Sequence, residues 1–285
     1  MLNPLIYTDH IINALKEDLG HGHDITTQSL IDADATMTAV VRAREEGRVA
    51  GLSVARDAFL AFNPDLSVEI LTQDGVKITK GDEVLRVSGQ AQSILTAERV
   101  ALNFLSHMTG IASETAKYVA AVEGTGAKIV DTRKTLPNLR ALQKYAVKMG
   151  GGHNHRFGLD DAILIKDNHI AAAGSIHNVL NRAAQTGHMV KIEIEVDTLD
   201  QLQQVIDHKE SNPKSADIVL LDNMTPETLK QAVEMIDGRL TTEASGGVNL
   251  DTVTAIAQSG VDLISIGALT HSVKVFDFGL DIPTS

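Results

Sequence analysis

The sequence predicts an α/β protein that combines an incomplete, open-sided (β/α) barrel with an N-terminal α/β sandwich domain of the α+β kind. After Gly126, six short β-branched runs each end in polar residues and are followed by a helical pattern. This alternation predicts parallel βα units. Before that point, strand-like runs are mixed with helices, which indicates a separate, smaller domain. Six units are fewer than the eight of a closed barrel, and a doubly wound open sheet remains the structural alternative.

The first part of the chain begins with a predicted amphipathic helix over residues 2–19. Predicted strands follow at residues 38–44 and 67–71, where β-branched residues are frequent. Apolar residues then recur at helical spacing over residues 93–122. Gly110 lies inside this pattern and is predicted to break or kink the helix.

The barrel strands are predicted where apolar residues run into charged or small ones, at residues 128–134, 161–169, 191–197, 217–223, 240–247 and 262–269. Helical patterns lie between them, at residues 175–186, 199–207, 226–236 and 250–258. In an α/β barrel the carboxyl ends of the strands meet at one face and carry the site. The predicted domains are residues 1–112, rejoined by the C-terminal tail 272–285, and residues 113–271.

Composition narrows the possible functions. The chain has 285 residues, 43% of them hydrophobic and 22% charged, which is ordinary for a globular protein. Its net charge of −12 argues against a general nucleic-acid or anionic-membrane surface. The apolar runs are too short for a membrane span. The chain has no cysteine, which excludes thiolate chemistry and fits a reducing compartment. We therefore expect a cytoplasmic protein.

The predicted strand ends carry an unusual set of side chains. Residues 131–169 hold seven Lys and Arg against four Asp, a local excess of positive charge in an acidic chain. Such a cluster suits a negatively charged ligand, because Arg binds carboxylates in bidentate geometry. The candidates at the first two strand ends are Thr132, Arg133, Lys134, His155, Arg156 and Lys166.

The later strand ends carry carboxylates and glycine turns. Glu195 and Asp222 end neighbouring strands, and their hard oxygens could hold Mg²⁺ together with substrate phosphates. Two small turns follow, Ser245-Gly246-Gly247 and Gly267-Ala268. Glycine turns before helices leave backbone N–H groups free to bind a phosphate, and the last strand ends of barrels often hold one.

Simpler interpretations exist for each feature taken alone. An Asp at a strand end often only caps the next helix, and Ser-Gly-Gly is often only a tight turn. Arg140, Lys144 and Lys148 lie at helical spacing, which favours one solvated helix face. Lys166 in a barrel strand would also suit an aldolase that forms a Schiff base. A phosphate-binding module without enzymatic activity is a third possibility, but it would leave the Arg, His and Lys residues unexplained.

Several motifs resemble those of the quinolinate phosphoribosyltransferases. The resemblance is strongest in DTRKTLPNLRALQKYAVKMGGGHNHRFGLDDAILIKDNHI and extends from EDLGHGHDITT, through LTAERVALNFLSHMTGIAS, to EIEVD, LLDN, EASGG and SIGALTHS. It covers nearly the whole chain. It implies an N-terminal α/β domain packed on an open-sided barrel, in a homodimer or an assembly of dimers. Two departures are visible. One is Asn138, where the family commonly has Gly, and Asn tolerates the left-handed conformation of such a turn. The other is the insert-like stretch 208–215, which lies between strand units and is expected to form a surface loop.

The resemblance also implies a role for each candidate residue. Arg133, His155, Arg156 and Lys166 would bind the two carboxylates of quinolinate, and Arg99 would reach the neighbouring subunit's site. Lys134 would lie between quinolinate and the pyrophosphate of phosphoribosyl pyrophosphate (PRPP), with Thr132 beside it. Glu195 and Asp222 would hold the ribose hydroxyls and Mg²⁺. The 5′-phosphate would lie against Ser245, Gly246, Gly247, Gly267 and Ala268.

The reaction implied joins quinolinate and PRPP to give nicotinate mononucleotide, pyrophosphate and carbon dioxide. Lys134, Lys166, Glu195 and Asp222 would be the catalytic residues, and Mg²⁺ the cofactor. A phosphoribosyltransferase of the same architecture that acts on nicotinate or another ring acid is the nearest rival. The number of cations favours a diacid substrate.

Overall fold

The computed structural model describes residues 2–283. The ends of the predicted N-terminal domain and tail, residues 1 and 284–285, lie outside this range. By their internal contacts the residues form two compact units. The first contains residues up to 116, residues 136–151 and the chain from 272 onwards, and the second contains residues 117–135 and 152–271. The domain limits of 1–112 and 113–271 stay a prediction.

The described residues form strands and helices in an irregular order at first and in strict alternation later. The strands are β1 Thr36–Ala43, β2 Gly47–Arg48, β3 Ser67–Ile70, β4 Lys77–Ile78, β5 Glu83–Gln90, β6 Lys128–Val130, β7 Ala162–Ile165, β8 Lys191–Val196, β9 Ile218–Asp222, β10 Thr241–Ser245, β11 Leu263–Ser265 and β12 Phe278–Asp281. The helices are α1 Thr8–Leu19, α2 Ile25–Leu30, α3 Leu52–Phe62, α4 Ala91–Ala121, α5 Arg140–Met149, α6 Asp167–Ala173, α7 Ile176–Ala183, α8 Leu199–Ser211, α9 Pro226–Ile236, α10 Val253–Gln258 and α11 Ala268–His271.

The second unit is built on a parallel sheet in the order β6-β11-β10-β9-β8-β7. From β7 to β11, strands that are consecutive in the chain are neighbours in the sheet, and the last strand, β11, pairs with the first, β6. This is the strand order of a barrel, whereas a doubly wound sheet would reverse direction at a switch point. Among the described residues β6 and β7 are not paired. The sheet is therefore an open-sided partial barrel, as predicted, and the doubly wound alternative is wrong.

The helices of this unit begin where the sequence provides caps. The Thr225 hydroxyl accepts a hydrogen bond from the Thr228 N–H, and Pro226 occupies the first turn of α9. The Thr198 hydroxyl caps α8 in the same way. Outward strand residues such as Ile194 and Leu221 are fully buried. Burial of this outer face of the sheet stabilises the half-barrel and leaves its inner face to polar side chains.

The first unit contains an antiparallel sheet in the order β12-β1-β5-β3. The C-terminal strand β12 pairs with β1 from Val40↔Asp281 to Ala43↔Phe278. Helix α1 is preceded by a 3-10 turn, Pro4–Ile6, so the predicted helix over residues 2–19 is interrupted at Tyr7. The Tyr7 hydroxyl donates to Asp57 Oδ2 over 2.6 Å, and this bond joins the start of α1 to α3.

The prediction that Gly110 breaks the long helix is wrong, because α4 continues from Ala91 to Ala121. A Cβ atom at Gly110 would lie 2.3 Å from the carbonyl oxygen of Lys274. This glycine therefore permits a close approach of the C-terminal segment to the helix. Asn138 has the left-handed backbone that its turn was predicted to require, with φ of 64°. Within residues 2–283, no helix combines the length and the apolar character needed to cross a membrane.

Candidate active site

A cavity of about 400 Å³ opens at the carboxyl ends of the half-barrel strands. Nine of the residues predicted from the sequence line it: Thr132, Arg133, Lys134, His155, Arg156, Lys166, Glu195, Asp222 and Ser245. Leu164, Leu220, Glu243 and Ser265 complete the lining. The segments that were expected to converge therefore do meet in one pocket.

Strand alternation explains why these side chains meet. In β8, Ile192, Ile194 and Val196 are buried on the outer face, so Glu193 and Glu195 point together into the barrel. In β9 the same alternation sends Leu220 and Asp222 inward. The last inward residue of each strand lies at the rim of the half-barrel, where the polar strand ends are found.

Two arginines form the positive wall of the cavity. Arg133 follows β6 and Arg156 precedes β7, and the Arg156 guanidinium donates to the carbonyl of Ala162 over 2.9 Å. The Nε atoms of both arginines are buried and have no hydrogen-bond partner among the described residues. Burial, followed by the charge of Arg133, lowers the pKa of Arg156. An anion bound between the two guanidinium groups would offset both the cost of burying the charge and the repulsion between the two arginines.

The loop that carries Arg156 is fixed by a buried aspartate. Asp131 is fully buried, and its carboxylate accepts hydrogen bonds from Asn154 Nδ2 at 2.5 Å and from the backbone N–H of His155 at 2.9 Å. The sequence analysis did not single out Asp131 or Asn154 as site residues. Because Asp131 follows β6 directly, it holds the loop against the end of that strand.

The acidic side of the rim consists of Glu195 and Asp222. Glu195 Oε2 accepts a hydrogen bond from Lys166 Nζ over 2.5 Å. Asp222 accepts one from the side chain of Asn223 over 2.6 Å. Burial, together with the charges of Glu195 and Asp197, raises the pKa of Asp222. Two carboxylates that disfavour each other's charge in this way suit a divalent cation with oxygen ligands.

The glycine turns lie at the ends of β10 and β11. Gly246 and Gly247 both have left-handed backbones, with φ of 92° and 63°. A Cβ at Gly267 would lie 2.8 Å from Lys134 Cδ, so this glycine gives the lysine side chain room. Ala268 begins α11. These four predicted residues border the strand ends but are not part of the cavity lining.

Arg99 lies on α4, in the first unit. Its side chain is 64% exposed, and its guanidinium lies 4.0 Å from the carboxylate of Glu98. The pocket described above is made wholly by residues of the second unit.

The sequence analysis missed two acidic residues inside the half-barrel, Glu193 and Glu243. They are 3% and 1% exposed. Burial, followed by the charge of Glu193, raises the pKa of Glu243 to about 7. A signal was available, because each lies two residues before a predicted site residue, Glu195 or Ser245, and so faces the same side of its strand.

This arrangement defines a class of enzyme. A half-barrel that presents half-buried arginines on one side, and an acidic pair with glycine turns on the other, can bind two anionic small molecules next to each other. That is the task of a phosphoribosyltransferase whose acceptor is an acid.

Comparison with known proteins identifies the family. Residues 24–109 match the model of the N-terminal domain of quinolinate phosphoribosyl transferase, and residues 111–281 match that of its C-terminal domain. The chain therefore belongs to the quinolinate phosphoribosyl transferase family.

Relatives from several organisms agree with this assignment. The nicotinate-nucleotide pyrophosphorylase [carboxylating] of Mycobacterium leprae is 44% identical, over 96% of this chain and 96% of its own. A probable enzyme of the same name from Bacillus subtilis is 41% identical, over 94% and 91%. Among solved structures, NadC from Streptococcus pyogenes is 40% identical, with a TM-score of 0.92 over 100% of this chain and 99% of that one. The nicotinate-nucleotide pyrophosphorylase of Francisella tularensis is 38% identical, with a TM-score of 0.93 over 99% and 98%.

Proposed function

We propose that the cavity at the mouth of the half-barrel is where this chain transfers the phosphoribosyl group of PRPP to quinolinate. The products are nicotinate mononucleotide, pyrophosphate and carbon dioxide, in the biosynthesis of NAD. The chain is accordingly a decarboxylating phosphoribosyltransferase. The observation that carries the proposal is the pair of half-buried arginines, Arg133 and Arg156, whose buried Nε atoms lack partners among the described residues.

Quinolinate fits this positive wall because it has two adjacent carboxylates. Arg133 and Arg156 would each bind a carboxylate, with Lys166 at the edge of the pocket. The His155 ring accepts a hydrogen bond from the Arg156 N–H and contacts Glu193, so we assign its main role to positioning. An apolar floor for the ring is available from Leu164 and Leu220, which line the same cavity.

PRPP would occupy the other side of the rim. Glu195 and Asp222 would bind the ribose hydroxyls, and Ser245, Gly246, Gly247, Gly267 and Ala268 would surround the 5′-phosphate with backbone N–H groups. Lys134 would lie between the two substrates, since its aliphatic stem is close to Gly267 and its carbonyl accepts from Thr270 Oγ1 at 2.8 Å. Thr132 supports it, because its hydroxyl accepts from the Lys134 N–H at 2.9 Å.

Mg²⁺ is the cofactor we propose, with Glu195 and Asp222 as its protein ligands. The donor set fits, since both are hard oxygen ligands and the charge of Glu195 contributes to the raised pKa of Asp222. Bound there with PRPP, the ion would neutralise part of the charge on the departing pyrophosphate.

The chain's own residues would act mainly by positioning two anions that repel each other in water. The quinolinate nitrogen forms a bond to C1 of the ribose as the bond from C1 to pyrophosphate breaks. The C2 carboxylate then leaves as carbon dioxide, and the electron pair stays on C2 beside the cationic ring nitrogen. A proton passes to C2. Lys134 and Lys166 are the two lysines lining the cavity that could donate this proton.

We further propose that the working form is a homodimer or an assembly of dimers. The exposed guanidinium of Arg99 would then reach a quinolinate carboxylate in the neighbouring subunit's pocket. The localisation we propose is cytoplasmic, which the cysteine-free composition supports.

The proposed function is tested by measuring pyrophosphate and carbon dioxide released from PRPP with quinolinate or with nicotinate. We expect equal amounts of both products from quinolinate, loss of both when Mg²⁺ is chelated, and no carbon dioxide from nicotinate. Faster pyrophosphate release with nicotinate than with quinolinate would instead support the rival acceptor.

A further inference from the structure

Below the arginines, the interior of the half-barrel contains two carboxyl groups where barrels usually have branched apolar side chains. Glu193 on β8 and Glu243 on β10 come from alternate strands, as residues of one interior layer do. Glu193 Oε1 and Glu243 Oε2 are buried and have no hydrogen-bond partner among the described residues. Burial of carboxyl groups costs free energy, so packing alone does not explain why this layer contains them.

The two carboxyl groups lie close to one nitrogen of the His155 ring. His155 Nε2 lies 2.9 Å from Glu193 Oε2 and 3.5 Å from Glu243 Oε2. His155 Nδ1 accepts a hydrogen bond from the backbone N–H of Arg156 over 2.8 Å. An imidazole that accepts at Nδ1 carries its proton on Nε2, so His155 donates to Glu193. The ring thereby connects the carboxyl pair to the backbone of Arg156.

A metal ion is a poor explanation for this cluster, although the ligand atoms of the three side chains lie within 4.8 Å of one another. Since Nδ1 already accepts a hydrogen bond, ligation through Nε2 would remove the last ring proton. A proton held on Glu243 fits better, in agreement with the pKa of this buried carboxyl, which burial and the charge of Glu193 raise to about 7.

We propose that Glu193 and Glu243 are positioning residues of the reaction, which hold the His155 ring in one tautomer and orientation and thereby hold Arg156 at the quinolinate pocket. This inference rests on the proposed function, because it gives Arg156 a substrate carboxylate to bind. Asp131 fixes the same loop through the backbone N–H of His155. His155 is therefore held both at its backbone and at its ring. Glu193 is also a counter-charge for Arg156, since its charge opposes the lowering of the Arg156 pKa by burial and by Arg133.

The test replaces each carboxyl group with the side chain that barrel interiors favour. Glu193→Leu and Glu243→Leu each keep the layer filled and make it more apolar, so both variants should fold. We expect KM for quinolinate to rise about tenfold in each, and KM for PRPP to change less than about twofold. Glu193→Gln keeps an acceptor for His155 Nε2 and should bring KM for quinolinate back to within about threefold of the native value.

Matched controls come from two carboxylates that precede the neighbouring strands β9 and β11 and accept hydrogen bonds from the amino-terminal parts of β8 and β10. Asp217 accepts from the N–H of Ile192, and Asp262 accepts from the N–H of Thr242. Asp217→Asn and Asp262→Asn therefore disturb the neighbours of Glu193 and Glu243 without touching His155. Both KM values should stay within about twofold of native in these controls.

Nitrogen-15 NMR of the His155 ring in the native chain gives an answer that does not depend on variant folding. We expect the proton on Nε2 and a hydrogen-bonded, slowly exchanging signal. A proton on Nδ1, an equal rise in both KM values, or unchanged kinetics in the Leu variants would overturn the inference. Absence of quinolinate turnover in the native chain would instead refute the proposed function itself.

Discussion

Two acidic pairs lie in the same half-barrel, one at the rim and one in the interior, and they differ in burial and in the groups that they contact. Glu195 and Asp222 at the rim are half-buried, and Glu195 contacts the ammonium group of Lys166. Glu193 and Glu243 in the interior are almost fully buried and contact His155. Glu193 and Glu195 are only two residues apart on β8. Depth along a barrel strand therefore decides whether a carboxylate faces a ligand or the protein.

Removing a rim carboxylate should have the largest effect. Glu195→Ala removes a proposed ligand of Mg²⁺ and the ribose, and the partner of Lys166. We expect kcat to fall about 100-fold or more, because charge stabilisation at the reacting centre is lost. Initial rates of pyrophosphate release measure this. Asp197→Asn, two residues further along and outside the cavity lining, should stay within about threefold. A loss below about tenfold in Glu195→Ala would contradict the role of the rim pair.

Because of the interior pair, the free energy of unfolding should depend on pH. The pKa of Glu243 is about 7 in the folded chain, above its ordinary 4.5, so the folded state binds this proton more tightly. Its stabilising contribution is full below pH 4.5 and is lost as the pH rises through about 7. The free energy of unfolding of the native chain, relative to Glu243→Gln, should therefore fall by at most about 3 kcal/mol over this range. Denaturant titrations at several pH values measure it.

Glu227 provides a control of opposite sign. Backbone hydrogen bonding at the start of α9, together with the Thr225 hydroxyl, lowers the pKa of this exposed residue. Its contribution to stability is present above its ordinary pKa and is lost as the pH falls. The difference between native and Glu227→Gln should therefore grow as the pH rises. A Glu243→Gln difference that also grows with pH would contradict the account of the interior pair.

The smallest effect is expected in the glycine turn at the rim. Gly247 has φ of 63° with open space around its missing Cβ, so Gly247→Ala should cost only about 1 kcal/mol of stability, for the left-handed backbone. At Gly246 an added Cβ would lie 2.1 Å from Asn223 Oδ1 and 2.9 Å from the Asn223 nitrogen. Gly246→Ala should therefore cost more stability than Gly247→Ala and should also raise KM for PRPP. Equal effects in the two variants would show that the turn is not tightly packed.

The sequence predicted the half-barrel and its rim because both leave a periodic signal. Each β-branched run ends in a polar residue, and the rim side chains are the last inward residues of β7 to β10. The interior was harder to predict, because Glu193 in KIEIEV resembles an ordinary polar residue of an alternating strand. Its burial depends on the curvature of the sheet, which closes the inner face over it.

Two further predictions from the sequence were wrong, each because of a local feature of the fold. Residues 208–215 were predicted to form a surface loop because they look like an insertion between strand units, yet α8 continues to Ser211 and His208 is 4% exposed. The His208 ring is hydrogen bonded to the Ser215 hydroxyl over 2.7 Å, so a polar sequence was compatible with burial. Lys144 was assigned with Arg140 and Lys148 to one solvated helix face, but it is 2% exposed. Helical spacing alone did not show which face of α5 is covered.

The most direct test of the account is calorimetry of Arg133→Ala with each substrate separately. We expect the affinity for quinolinate to fall about 100-fold, because a charged partner of a substrate carboxylate is lost. PRPP, bound at the acidic and glycine-bearing side of the rim, should keep its affinity within about twofold. Equal loss of affinity for both substrates would show that the two sides of the rim do not bind different molecules, and would contradict the proposed site.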